Sequence, residues 1–189
     1  MISMQKRIRR ELIQHKSKLA QIWIETVIYT LIAFVLIGAV LAFVKPKIDE
    51  MQDKAIIEQS INLLKDLDAV VTEITQGGSG NKRQIEMSIK KGELIIDSVN
   101  DEFVFEIESR FEYSEPGVEV QNGNLVIITT ESGDTSIVEI KRVYDDHNIT
   151  FNDKEELRTI SKGATTHFLF LDNNGKQDSG KWHIDTTLG

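Results

Sequence analysis

The sequence predicts an α+β protein: a long N-terminal helix, half membrane-spanning and half amphipathic, followed by an antiparallel β-sandwich-like head domain. Three observations predict it. Between Lys18 and Lys45 the only charge is Glu25, in an otherwise unbroken apolar run. Beyond Pro46 the apolar residues recur at intervals of mostly three and four, the repeat of one helix face. Beyond Gly80 the repeat drops to two, that of a half-buried strand.

The first element, residues 1–20, is a basic leader. Lys6, Arg7, Arg9, Arg10, Lys16 and Lys18 stand there against Glu11 alone, so a chain of net charge −8 carries +5 in its leader and −13 in the rest. Residues 21–45 follow as a helix of the roughly 20 apolar residues that a bilayer crossing requires. Cations crowd the near side of this segment and only Lys45 and Lys47 lie close behind it, which predicts a cytoplasmic N-terminus and an external C-terminal domain. The run is about twice the 7–15 residues of an ordinary secretory core, so the segment is expected to be retained. Trp23 and Tyr29 suit its water interface. The acidic body argues against nucleic acid as a partner, since phosphate binding needs clustered cations.

Pro46 is expected to bend or break the helix there. Residues 46–76 then form the amphipathic part. Ile48, Met51, Ala55, Ile57, Ile61, Leu64, Leu67, Val71 and Ile74 make its apolar stripe, and Asp49, Glu50, Asp53, Lys54, Glu58, Gln59, Lys65, Asp66 and Asp68 its wet side. Gly77-Gly78-Ser79-Gly80 stops it, and residues 77–82 read as a flexible joint.

Residues 83–189 are the extracytoplasmic β-domain. Alternation marks strands through Ile85–Ile89, Leu94–Ile96, Phe103–Ile107, Val118–Val120, Leu125–Ile128 and Val138–Tyr144, with later ones at Ile149–Phe151, Leu157–Ile160, Thr166–Leu171 and Trp182–Thr186. Turns are expected at Lys91-Gly92, Asn100-Asp101, Pro116-Gly117, Asn122-Gly123, Ser132-Gly133-Asp134 and Asp172-Asn173-Asn174-Gly175. Phe103, Phe105, Phe168, Phe170 and Trp182 are the candidate core aromatics.

Chemistry is sparse. With no cysteine, disulfides, thiolate metal sites and thiol nucleophiles are ruled out. Histidines at 15, 147, 167 and 183 are scattered; His167 and His183 could neighbour each other on adjacent strands, without a carboxylate motif beside them. No nucleophile elbow, phosphate loop or zinc-protease motif occurs. No catalytic residue, metal or cofactor is therefore expected. Asn148-Ile149-Thr150 is a sequon, which makes Asn148 a possible N-glycosylation site on an exposed turn. Gly38 and Ala42 form a small-xxx-small pair that would let helices approach closely.

A basic leader followed by Ala20-Gln21-Ile22-Trp23-Ile24-Glu25 at the opening of an apolar helix resembles the class III signal of type IV pilin-like proteins, the archaeal pilins above all. The resemblance implies that a prepilin peptidase cuts between Ala20 and Gln21 and leaves Glu25 as the fifth mature residue. It further implies a retained helix that packs with other pilin subunits through the pilus assembly machinery, and an extracellular filament, usually adhesive. In that family Glu25 would set the register between subunits by meeting the new α-amino group of a neighbour. The layout of helix and β-head matches the same family.

Two functions stand open at this level. One is a pilin or minor pilin, held in the membrane as a precursor and extracellular once assembled. The other is a non-assembling single-pass protein whose external β-domain binds a ligand or partner, with Glu25 an ordinary juxtamembrane acid.

Overall fold

The computed structural model describes the backbone of residues 2–189 and the side chains of residues 23–189. The predicted α+β class is what it shows. Helix α1 spans Ile2–Gly77 and ten strands follow: β1 (Lys82–Met87), β2 (Glu93–Asp97), β3 (Glu102–Ser109), β4 (Glu119–Asn122), β5 (Leu125–Ser132), β6 (Thr135–Val143), β7 (His147–Phe151), β8 (Leu157–Ser161), β9 (His167–Lys176) and β10 (Trp182–Leu188). The chain divides into two compact units, one ending at Ile48 and the other running Asp49–Gly189. Pro46 lies inside α1 and does not end it. A proline removes one backbone donor, and the helical bonds on either side still form.

In the second unit the strands make two sheets, ordered β4-β5-β6-β3-β2-β8 and β1-β9-β10-β7. Every strand pair is antiparallel except β7 with β10, which is parallel. This departs from the all-antiparallel expectation. The chain between β7 and β10 passes through β8 in the other sheet and β9, a connection long enough for a parallel return.

The hairpins follow glycine. Asn122 pairs with Leu125 and Ser132 with Thr135, so the loops are Gly123-Asn124 and Gly133-Asp134. Each glycine takes the first central position with positive φ, 66° and 64°, and the residue after it does not. That is the II′ arrangement, which only glycine enters cheaply. The loop therefore sits one residue beyond the Asn122-Gly123 placement expected.

One core joins the helix to both sheets. Ile57, Ile61, Leu64, Leu67, Val71 and Ile74 are all buried, beside Phe103, Phe105, Leu125, Ile140, Leu169 and Ile184. The stripe differs from expectation at its start. Ile48 and Met51 are exposed, as is Ala55, while Asp53 is 4% exposed. Asp53 lies one turn before Ile57 on the same face. Its burial is supported by ion pairing with Lys91 and by the Arg110 backbone N–H, which donates to Oδ2 at 2.8 Å.

Two of the five expected core aromatics are buried, Phe103 and Phe105. Phe168 and Phe170 are half-buried because Leu169 and Leu171 take the inward positions of β9 and the pleat turns alternate residues out. Trp182 is half-buried as well. Lysines lie over these outward rings, Lys82 over Phe170 at 5.5 Å and Lys176 over Trp182 at 5.9 Å.

The expected flexible joint is pinned. Asn81 Nδ2 donates to the carbonyls of Gly77 and Gly78 at 2.6 and 2.9 Å, and Gly80 N–H donates to Asn173 O at 2.7 Å. Asp172–Gly175 is no hairpin turn either. It belongs to β9, where His183 pairs with Gly175 and Ile184 with Asn173, leaving Asn174 as the extra residue of a β-bulge. The reversal falls later, where Gln177 and Lys181 bond through their backbones.

Candidate functional site

The candidate site is the apolar stretch of α1. Within Trp23–Gly77 lies a window long and apolar enough to cross a membrane, and none of it is buried. A helix satisfies its own backbone polar groups, so the side chains alone decide which solvent suits it. Here Trp23 is 70% and Phe43 80% exposed, whereas the stripe from Ile57 to Ile74 on the same helix is at most 5% exposed. The stripe is buried in the core of its own unit, and the described side chains of the apolar stretch are exposed.

Glu25 stands exposed near the start of the described side chains. Ile28, Tyr29 and Ile32, at three, four and seven residues on, share its face. One turn beyond, Thr30 Oγ1 donates to the Thr26 carbonyl at 2.8 Å, a back-bond that hides a hydroxyl in an apolar segment. The expected cleavage junction Ala20–Gln21 lies outside the residues whose side chains are described.

Gly38 and Ala42 are exposed, and a Cβ added at Gly38 would meet nothing. At 3.6 residues per turn Gly38 and Ala42 lie about 140° and about 100° around the helix from Glu25. Carboxylate and notch therefore lie on different faces of the helix.

Asn148 lies on β7, an edge strand, and not on a turn. It is half-buried, and its Nδ2 donates to Gln177 Oε1 at 3.3 Å. Thr150 of the same sequon is 4% exposed, with its hydroxyl donating to Asp185 Oδ1 at 2.7 Å. The open residues are Asp145 and Asp146 just before it. Asp101 explains the order here: its Oδ1 accepts from Ile149 N–H at 2.9 Å and its Oδ2 from Lys181 Nζ at 2.7 Å, capping the strand edge.

His167 and His183 sit on neighbouring strands without meeting. His183 pairs with Gly175, eight positions from His167, about 26 Å along a strand. His147 is buried against Thr75, 2.9 Å from Nε2, and Asp146, 2.7 Å from Nδ1. Among the described residues no cluster of His, Asp and Glu could hold a metal ion.

Asn173, Asp53 and Asp101 carry structural work that the sequence did not advertise. Asp53 alone had a signal, its spacing of four before Ile57. Comparison with protein-family models, with curated proteins and with solved structures gives no match for this chain, so its functional reading rests on the chemistry of the apolar segment and the head it carries.

Proposed function

We propose that this chain is the precursor of a subunit, pilin or minor pilin, of an extracellular type IV pilus-like filament. The observation that carries the reading is a helix segment with every described side chain turned outward and a carboxylate five positions past Ala20. A charge inside an apolar span is costly, up to roughly 2.5–3.5 kcal/mol at mid-bilayer on insertion scales, so a carboxylate within the start of this one calls for a role. In the precursor the segment holds the chain in the membrane, with the leader cytoplasmic and the β-head outside. After cleavage between Ala20 and Gln21 by a prepilin peptidase, the new α-amino group is cationic at neutral pH, its ordinary pKa lying near 8. Glu25 of one subunit meets that amine of the next. Burying such a pair adds little net stability, but a wrong stagger leaves both charges bare, so the pair selects a register. The notch at Gly38 and Ala42 brings a second neighbour close on another face. Surface adhesion is the role that the resemblance attaches to such filaments.

One observation favours the second reading, an uncut single-pass anchor. Leu19 stands between Lys18 and Ala20, where the leaders of archaeal pilins commonly run directly from a basic to a small residue. Intact mass or N-terminal sequencing of the mature protein decides between them. A chain beginning at Gln21 supports the filament subunit; a membrane protein that keeps residues 1–20 overturns it.

A further inference from the structure

The sheet β4-β5-β6-β3-β2-β8 turns one face to the core and the other outward. Strand register orders the outer face into rows. Ile95, Val104, Lys141 and Val126 pair in sequence across four strands, and so do Glu93, Glu106, Glu139 and Ile128. The two rows lie two residues apart along each strand, about 7 Å. One row is thus aliphatic around a single lysine, and the next is acidic.

Both rows are unusual for a sheet face that ends at water. Such faces alternate toward polar side chains, yet Ile95, Val126 and Ile128 are only half-buried and project outward. Carboxylates directly opposite one another, about 5 Å apart, destabilise a sheet, yet Glu93, Glu106 and Glu139 stand in direct succession. Glu102 faces out one row over, its carboxyl held above the ordinary range mainly by burial. Glu106 is raised too, by burial first and then by Glu139 and Glu93. The nearby Asp97 is occupied, accepting from the Val99 and Asn100 backbones at 3.0 and 3.1 Å.

The face already holds one ammonium. Lys141 Nζ lies 2.7 Å from Glu139 Oε2, and Glu139, Glu102 and Glu106 together keep its charge on. One cation facing four carboxylates leaves charge for more.

We propose that the outer face of the six-stranded sheet is a docking surface for a cationic polypeptide segment bearing aliphatic side chains. The partner's lysines or arginines meet the acidic row, and its aliphatic groups cover Ile95, Val126 and Ile128, while Val104 between them is already buried. Added cations relieve the repulsion that the unbound sheet carries. The inference stands apart from the filament reading, since an uncut anchor would present the same face.

The test uses the full chain in a neutral detergent, an alternating lysine–valine peptide as probe, and protein-free micelles as baseline. The peptide should bind saturably. The double variant E106Q/E139Q should bind it about tenfold more weakly, whereas E155Q/E156Q, which removes the same charge from an exposed segment, should bind like the parent. A lysine–serine peptide should also bind about tenfold more weakly. Thermal melts confirm that both variants fold. Equal weakening by the two variants, equal affinity of the two peptides, or no saturable binding overturns the proposal.

Discussion

The side-chain amide of Asn173 donates to the backbone carbonyl of Ile74 over 2.8 Å, tying the last turn of α1 to the middle of β9. The carbonyls of a helix's last turn have no intrahelical partner, and this one is buried. Asn173 Oδ1 in turn accepts from Gly175 N–H at 2.8 Å, which shapes the bulge. The Asn173 backbone closes the arrangement with Gly80 and Asn81 at 2.7 and 2.9 Å. Asn173→Ala would strand Ile74 O and Gly175 N–H in the core. Each orphaned group costs about 1–3 kcal/mol, so a loss of about 2–6 kcal/mol is expected in urea unfolding. A loss near zero would show that the joint is held elsewhere.

Asp53 sits where an aliphatic residue would continue the stripe. Asp53→Ala should destabilise the head by about 1–3 kcal/mol, mostly from the Arg110 N–H left without its acceptor. Lys91 is partly exposed and would recover hydration. Asp53→Asn keeps an oxygen for Arg110 and should recover part of the loss. Thermal melts of the two variants side by side check the order.

The acidic row makes a pH prediction with a definite sign. Burial, then Glu139 and Glu93, raise the Glu106 carboxyl above its ordinary 4.5. A carboxyl raised in the folded state binds its proton before the unfolded chain does. The contribution of Glu106 to stability therefore rises as pH falls from neutrality through the raised value toward 4.5. Glu106→Gln should be more stable than the parent at neutral pH, with the advantage shrinking as the pH approaches the ordinary carboxyl range. A variant no more stable than the parent at neutral pH would show that the row carries no strain.

Gly92 tests the turn between β1 and β2. Its φ is +82°, and an added Cβ would lie 2.5 Å from the Glu106 carbonyl and 2.9 Å from Phe105 Cε1. Gly92→Ala should cost about 1–3 kcal/mol in backbone strain alone, and chemical denaturation would read it.

Glu25→Ala tests the filament account. Membrane-inserted precursor should accumulate at least as well as the parent, because an apolar segment without its charge inserts more readily. Surface filaments, counted by electron microscopy, should fall sharply. Filaments at parental number would remove the register role assigned to this carboxylate.

The elements were legible because each burial period is local. Intervals of three and four from Ile57 to Ile74 announce a helix face wherever that helix packs, and Ile85–Met87 or Leu94–Ile96 announce strands. Gly123 and Gly133 fixed their hairpins through the positive φ that other residues resist. The lone Glu25 was equally plain, because an apolar run makes any charge visible. Asn173 was hidden inside Asp172-Asn173-Asn174-Gly175, whose composition is that of a turn. Only the opposing strand and the buried end of α1 convert it into a bulge.

By itself, the sequence determined an apolar segment fit for a membrane, an amphipathic helix and a run of strands, since hydrophobic period and backbone preference act over a few residues. The tertiary structure alone decided which parity of Phe168-Leu169-Phe170-Leu171 faces inward, that Asp53 belongs to the stripe, and that Glu93, Glu106 and Glu139 stand in line. An unbroken apolar run has no alternation to read, and a carboxylate's neighbours across a sheet depend on register with strands far away in the chain. Those choices are made by pairing and packing between distant segments, where local preference is silent.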